Sequence, residues 1–468
     1  MTGRVPVKRL RYYLAQDILL WLRPLLVVGL LLLGAALAFR ASPRQLALVL
    51  YLLLGIGLVL TFLRWPPLGL IVASLAGMIV PFLGPSGSNV TMILVALLLV
   101  LWLLDMLVRK HQIRLAPSRA VGPLLAFLVI ASLSFGIGQL PWFAFALHAP
   151  LGAQLGGLSI IVLSAGTFLL AANQVQDLRW LSRMTWAFLA FGALYVVVRS
   201  VLPELGLSTR ELFQPVGSVF SIWLTALAFS QAAFNRDLHS GWRWALAGLV
   251  LVTLYILVFL KFADKSGWIP SLIGIAAILA FRSWRAGLAL LPLGALLAWY
   301  VGTGVIASDQ YSVSTRYDAW LIMAQIIKIN PIWGLGFANY YWYTPLFPIR
   351  GYAVSFNSHN NYVDILAQTG LIGLVCLLLF FWQVGRLGWR LRQQVPAGFA
   401  RAYVYGALGG LVGTVVLAMF GDWVLPFFYN IGLDGFRSSM LAWLFLGGLV
   451  SLEHMESSPS SSEWAGRL

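Results

Sequence analysis

Residues 89–108 read NVTMILVALLLVLWLLDMLV, and Arg109, Lys110, Arg114 and Arg119 follow directly. At about 1.5 Å per residue, a helix of this length covers about 30 Å, the thickness of a bilayer's hydrocarbon core. Asp105 is its only charge. The stretch therefore predicts a membrane-spanning helix that ends in a basic loop. The pattern recurs along the chain, near 18–39, 45–63, 67–84, 121–138, 151–173, 180–201, 215–234, 243–261, 267–281, 286–303, 370–386, 402–420 and 437–452. With the first stretch this makes about fourteen spans of an all-α polytopic membrane protein.

The composition agrees. Of 468 residues, 60% are hydrophobic and 10% charged, and the mean hydropathy is +0.87. A soluble domain needs more polar surface than that. The 45 glycines and 20 tryptophans suit close helix packing in lipid and interfacial aromatic belts. The net charge of +16 sits in short clusters between apolar spans. It reports membrane topology and calls for no nucleic-acid partner. The single cysteine, Cys376, rules out an intrachain disulfide. Arg4, Lys8, Arg9 and Arg11 precede the first span, as before a signal peptide, but its apolar run is longer than a signal's and reads as an anchor. Residues 1–456 form one membrane domain without an internal repeat, and the serine-rich tail 457–468 is expected to be disordered and cytoplasmic.

Orientation follows from the loops. Arg109, Lys110, Arg114 and Arg119, then Arg179 and Arg183, Arg236 and Arg243, Arg282 and Arg285, and Arg386, Arg390 and Arg392 fall on one side of a fourteen-span chain. That side is cytoplasmic by the positive-inside rule and holds both termini, although Arg40 and Arg44 run against it. The long segment 302–369 is then extracytoplasmic, and its length calls for a function.

That segment and its neighbours gather Asp264, Lys265, Arg316, Asp318, Lys328, Arg350, His359 and Asp364, a large share of the charge in a chain with so little. Charges near a bilayer are costly and mark pathways or sites. Of five histidines only His148 and His359 fall outside, and His148 lies in an interfacial stretch, 140–150. His359 reads either as a general base or as a structural hydrogen-bonder.

Within the segment, Thr315-Arg316-Tyr317-Asp318-Ala319-Trp320 is followed by Asn330-Pro331-Ile332-Trp333-Gly334-Leu335-Gly336. Then comes Ser358-His359-Asn360-Asn361-Tyr362-Val363-Asp364, running on to Gly370-Leu371-Ile372-Gly373. This set resembles the signature of the O-antigen ligase and O-antigen polymerase superfamily: an Arg with Trp four residues on, an Asn-Pro-x-x-Gly-x-Gly turn, and His-Asn-x-Tyr ending in Gly-Leu-Ile-Gly. An earlier patch, Asp264-Lys265-Ser266-Gly267-Trp268, is similar to the family's Ser-Arg-Gly-Gly-Trp-like motif, with Lys265 where the family has arginine.

The resemblance implies a glycosyltransferase of GT-C-like architecture. Such an enzyme moves a glycan from a polyprenyl (undecaprenyl) diphosphate carrier to an acceptor hydroxyl on a glycan, lipid or protein, outside the cytoplasmic membrane. His359 would be the base. Arg316 and Lys265, with Lys261 one turn earlier, would neutralise the departing diphosphate, since cations in a dry site stabilise charge that develops on oxygen. Snorkelling to the lipid headgroups is the competing account of Lys261 and Lys265. Asn360 and Tyr362 would orient His359 or close its loop. Gly334 and Gly336 read as turn glycines, or as backbone open to a phosphate. No loop carries an Asp-x-Asp pair, so a metal-independent, inverting mechanism without a cofactor is expected. Asp318 and Asp364 are expected to pair with cations. A polymerase of lipid-linked repeats shares the motif. A transporter would instead need paired broken helices, and a scaffold no outer His, Arg and Lys cluster.

Overall fold

A computed structural model describes residues 42–82, 84, 87–262, 264–300, 302–303 and 310–457, together with Gly29. The expected first span at 18–39, the basic residues before it, Arg40 and the tail beyond Ser457 lie outside the described residues. Among the described residues the chain is helical, with an isolated β-bridge between Ile349 and Tyr352.

The chain divides into two units, Met1–Arg64 and Trp65–Leu468. In the first, α1 (Pro43–Arg64) carries Leu48, Leu50, Tyr51 and Leu54 exposed around its axis. An all-round apolar surface of this kind belongs in lipid.

The second unit contains α2 (Pro66–Ile79), α3 (Val90–Leu104), α4 (Val121–Ile137), α5 (Leu151–Gln174), α6 (Leu178–Val196), α7 (Ser218–Phe234) and α8 (Ser240–Tyr255). These are followed by α9 (Lys265–Arg282), α10 (Trp284–Tyr300), α11 (Gln310–Ile327), α12 (Asn361–Gln394), α13 (Phe399–Phe420) and α14 (Phe436–Ser457). Starts and stops are written locally. The Asn89 side chain accepts from the Met92 N–H and opens α3. Val80 turns extended before Pro81 and ends α2 short of the expected boundary at 84.

Eight helices are long and apolar enough to cross a membrane, and shorter apolar helices lie at 66–79, 121–137, 218–234 and 284–296. This is a multi-pass membrane protein. The bundle's centre pairs α9 and α7 with α13, α5 with α14, and α4 with α12. Small residues allow the closest of these approaches: a β-carbon on Gly274 of α9 would stand 2.9 Å from the Gly409 carbonyl oxygen of α13.

Two features differ from the expectation. The long segment 302–369 is not a bare loop, since α11 and a short helix at Asn339–Tyr343 fold within it. Its apolar core includes Met323, Leu335, Tyr340 and Ala367, closed by Phe427, whose ring stacks on Tyr340 at 4.7 Å. In addition, the helix expected from 370 begins at Asn361 and breaks at Gly370 (φ 68°, ψ −174°).

Candidate functional site

The break at Gly370 is held by the Asn-Pro-x-x-Gly-x-Gly turn. The Asn330 side chain donates to the Gly334 carbonyl at 2.8 Å, and the Gly334 N–H returns to the Asn330 carbonyl at 3.0 Å. Leu335 N–H then donates to the Ala367 carbonyl, Gly336 N–H to the Gln368 carbonyl and Leu371 N–H to the Pro331 carbonyl. The two backbones touch. A β-carbon on Gly370 would lie 2.1 Å from the Ile332 carbonyl oxygen, and one on Gly334 2.5 Å from that of Gln368. All three glycines have left-handed φ, which other residues rarely adopt. The N–H groups of Gly334 and Gly336 are thus engaged within the protein, which is the geometry of the turn reading and not of a phosphate cradle.

This turn seats the segment that carries His359. The Asn360 side chain caps α12, accepting from Tyr362 N–H at 2.9 Å and Val363 N–H at 3.3 Å. Asn361 clamps the segment after α13, donating to the Leu425 carbonyl at 2.7 Å and accepting from Val424 N–H at 3.0 Å. Tyr362 donates to the Val415 carbonyl at 2.6 Å. Ser358 and Tyr340 hydroxyls both donate to one oxygen of Asp364, at 2.6 Å each. Asp364 is 1% exposed, and its other oxygen is buried without a partner. The expectation that Asp364 pairs with a cation is therefore corrected: two hydroxyls hold it. Asp318 does pair as expected, with Arg350 at 2.8 Å.

His359 stands apart from these neighbours. Its backbone is left-handed (φ 50°) and its imidazole is half-buried. It makes no hydrogen bond among the described residues. Burial holds its pKa below the ordinary value, the Arg316 guanidinium lowers it further, and Asp422 opposes both. The result is a neutral ring able to accept a proton near pH 7.

The Arg-x-x-x-Trp spacing explains how Arg316 arrives there. Residues four apart share a helix face. The Trp320 indole N–H donates to the Ser358 carbonyl at 2.8 Å, pinning that face of α11 to the His359 loop. Arg316 is half-buried and has no hydrogen bond or ion pair among the described residues.

Asp422, absent from the sequence-based set, completes the electrostatics. It is 1% exposed and follows the end of α13. Its oxygens accept from Phe427 N–H at 3.0 Å and the Asn430 side chain at 2.7 Å. Burial raises its pKa, while those hydrogen bonds and His359 favour its charged form. The one available signal was a lone acid just past an apolar span.

The two lysines lie at the turn between α8 and α9. Lys261 lies within the electrostatic reach of Asp264, Arg199 and Arg210. Lys265 opens α9, beside Ser266, whose hydroxyl bonds Asp264 at 2.6 Å and Ser218 at 2.8 Å. One turn on, Trp268 and Ile269 pack against Phe420, two residues before Asp422. Among the described residues no three His, Cys, Asp or Glu side chains are gathered where they would hold a metal ion.

A family model described as O-antigen ligase matches residues 151–378, from α5 into α12. That span contains Lys265, Arg316 and His359, whereas Asp422 lies beyond it. No curated protein matches the chain.

Proposed function

From the premise that the chain belongs to the O-antigen ligase superfamily, we propose that it transfers a glycan from a polyprenyl-diphosphate carrier to an acceptor hydroxyl in cell-surface polysaccharide synthesis. The observation that carries this reading is His359: an unengaged imidazole, held neutral beside Arg316, in a segment whose other polar side chains are committed to its seat. In the reaction, the imidazole takes the proton of the acceptor hydroxyl as its oxygen bonds the anomeric carbon. The bond from that carbon to the diphosphate oxygen breaks on the opposite face, which inverts the centre. Arg316, and Lys265 at the start of α9, stabilise the negative charge on the leaving diphosphate. Protein groups suffice for these roles, so the mechanism is metal-independent.

The architecture that goes with this reading is GT-C-like with fourteen spans. The helices α1–α10, α12, α13 and α14 correspond to thirteen of these stretches, and the expected span at 18–39 lies outside the described residues. The site then faces away from the cytoplasm at the cytoplasmic membrane, with both termini inside.

Mass spectrometry of the glycolipids that accumulate when the gene is deleted tests the assignment. Full-length polymer left on its lipid carrier identifies a ligase, and single lipid-linked repeats identify a polymerase. Unchanged carrier-linked glycans overturn both.

A further inference from the structure

A groove of about 790 Å³ opens between α12 and α13. Leu378, Phe381 and Trp382 of α12 line it together with Leu408, Leu411 and Val415 of α13. One end carries Arg119, Arg386, Arg390 and Glu453. Arg390 is ion-paired with Glu453, whereas Arg119 and Arg386 have no hydrogen bond or ion pair among the described residues.

The groove has the depth of one leaflet. From Leu378 to Arg390 the rise along α12 is about 18 Å, against about 15 Å for half of a 30 Å hydrocarbon core. Its basic end also carries Trp389, half exposed, with the Arg392 guanidinium 3.6 Å from the ring centroid. Tryptophan with arginine marks the membrane–water interface. The groove therefore runs from an interface to the membrane's middle, apolar at depth and cationic at its mouth. The volume is that of a ligand site, and two uncompensated guanidinium groups at a low-dielectric boundary attract an anion.

We propose that this groove binds one anionic diacyl phospholipid, with an acyl chain between α12 and α13 and its phosphate on Arg119 and Arg386. A polyprenyl chain descending from a diphosphate at His359 brings no anion to this end, so the charge favours a lipid of the basic leaflet. The deep end reaches Val415, whose carbonyl receives the Tyr362 hydroxyl, so the lipid abuts the seat of the His359 loop.

Competition between phosphatidylglycerol and phosphatidylcholine of identical chains, with lipids retained on the delipidated full-length protein counted by native mass spectrometry, tests this. The wild type is expected to keep one phosphatidylglycerol with a preference of about 30-fold, the worth of two arginines at a membrane surface. Arg119→Gln with Arg386→Gln should remove the preference, and Leu411→Trp, which fills the groove, should lower retention of both lipids. Excess inorganic phosphate should displace nothing. Equal retention by the wild type, a preference that survives the double substitution, wild-type retention by Leu411→Trp, or displacement by phosphate overturns the proposal.

Discussion

Two short segments, Ser358–Asp364 and Asp264–Trp268, both looked like site motifs in the sequence, and the structure uses them differently. In the first, Ser358, Asn360, Asn361, Tyr362 and Asp364 all hold the segment in place, and one polar residue is left over. That residue is a neutral imidazole in a left-handed backbone, a conformation that surrounding structure must enforce. In the second, the polar side chains build a helix start. Ser266 ties Asp264 to Ser218, and the Trp268 indole donates to the Phe262 carbonyl at 3.1 Å. Motif membership alone does not identify chemistry. A residue that the fold does not need is the better pointer.

The first way to break this comparison is to remove the leftover residue. His359→Ala should lower transfer by about 10²–10⁴-fold, the worth of a general base, with thermal unfolding unchanged because the imidazole supports nothing in the segment. Activity in proteoliposomes within a few-fold of wild type would reduce His359 to a loop residue. Arg316→Ala should cost about 10²–10³-fold. Arg316→Lys should recover only part of this, because the planar fork is lost.

A smaller and more diagnostic effect lies in the pH profile. A base works deprotonated, so activity is kept above the His359 pKa and lost as pH falls through it. Burial and then Arg316 hold that pKa below 6.5, with Asp422 opposing. Arg316→Gln removes a cation that disfavours the imidazolium, so the acid limb should move to higher pH. Asp422→Asn removes an anion that favours it, so the limb should move to lower pH. Shifts of the same sign, or none, would take the two residues out of the field of His359.

Much of this was legible in the chain. Apolar runs bounded by arginines located the helices, because lipid demands length and apolarity from each span independently of its neighbours. His359 and Arg316 were singled out by the resemblance of their motifs to those of the family. The Arg-x-x-x-Trp interval is one helical turn, and its tryptophan is the pin to the histidine loop. What was not legible depends on contacts remote in sequence. Asp422 reaches His359 because Asn361 clamps Val424 and Leu425, and no local pattern announces such a clamp. The cap at Asn360 and the break at Gly370 were hidden for a similar reason. A left-handed glycine inside an apolar run reads as helix until the Ile332 carbonyl is placed against it.

The smallest expected effects belong to the second segment, and they decide whether it is structural. Lys261 keeps company with Arg199, Arg210 and Asp264, so Lys261→Ala should change turnover by less than about fivefold, the worth of an exposed charge. Lys265 is the sharper case. It is the first residue of α9, where the helix dipole disfavours a cation. A cation kept there against the dipole is suited to meet an anion, and the apolar cluster of Trp268 and Ile269 one turn on packs with Phe420 at the end of α13. If Lys265 shares the diphosphate with Arg316, then Lys265→Ala should lower turnover and Lys265→Arg should preserve or raise it. The double substitution with Arg316→Ala should lose less than the product of the single losses, because the two residues act on one leaving group. Strictly multiplicative losses, measured as turnover on a lipid-diphosphate donor, would return Lys265 to the helix start and leave Arg316 as the diphosphate's only partner of the two.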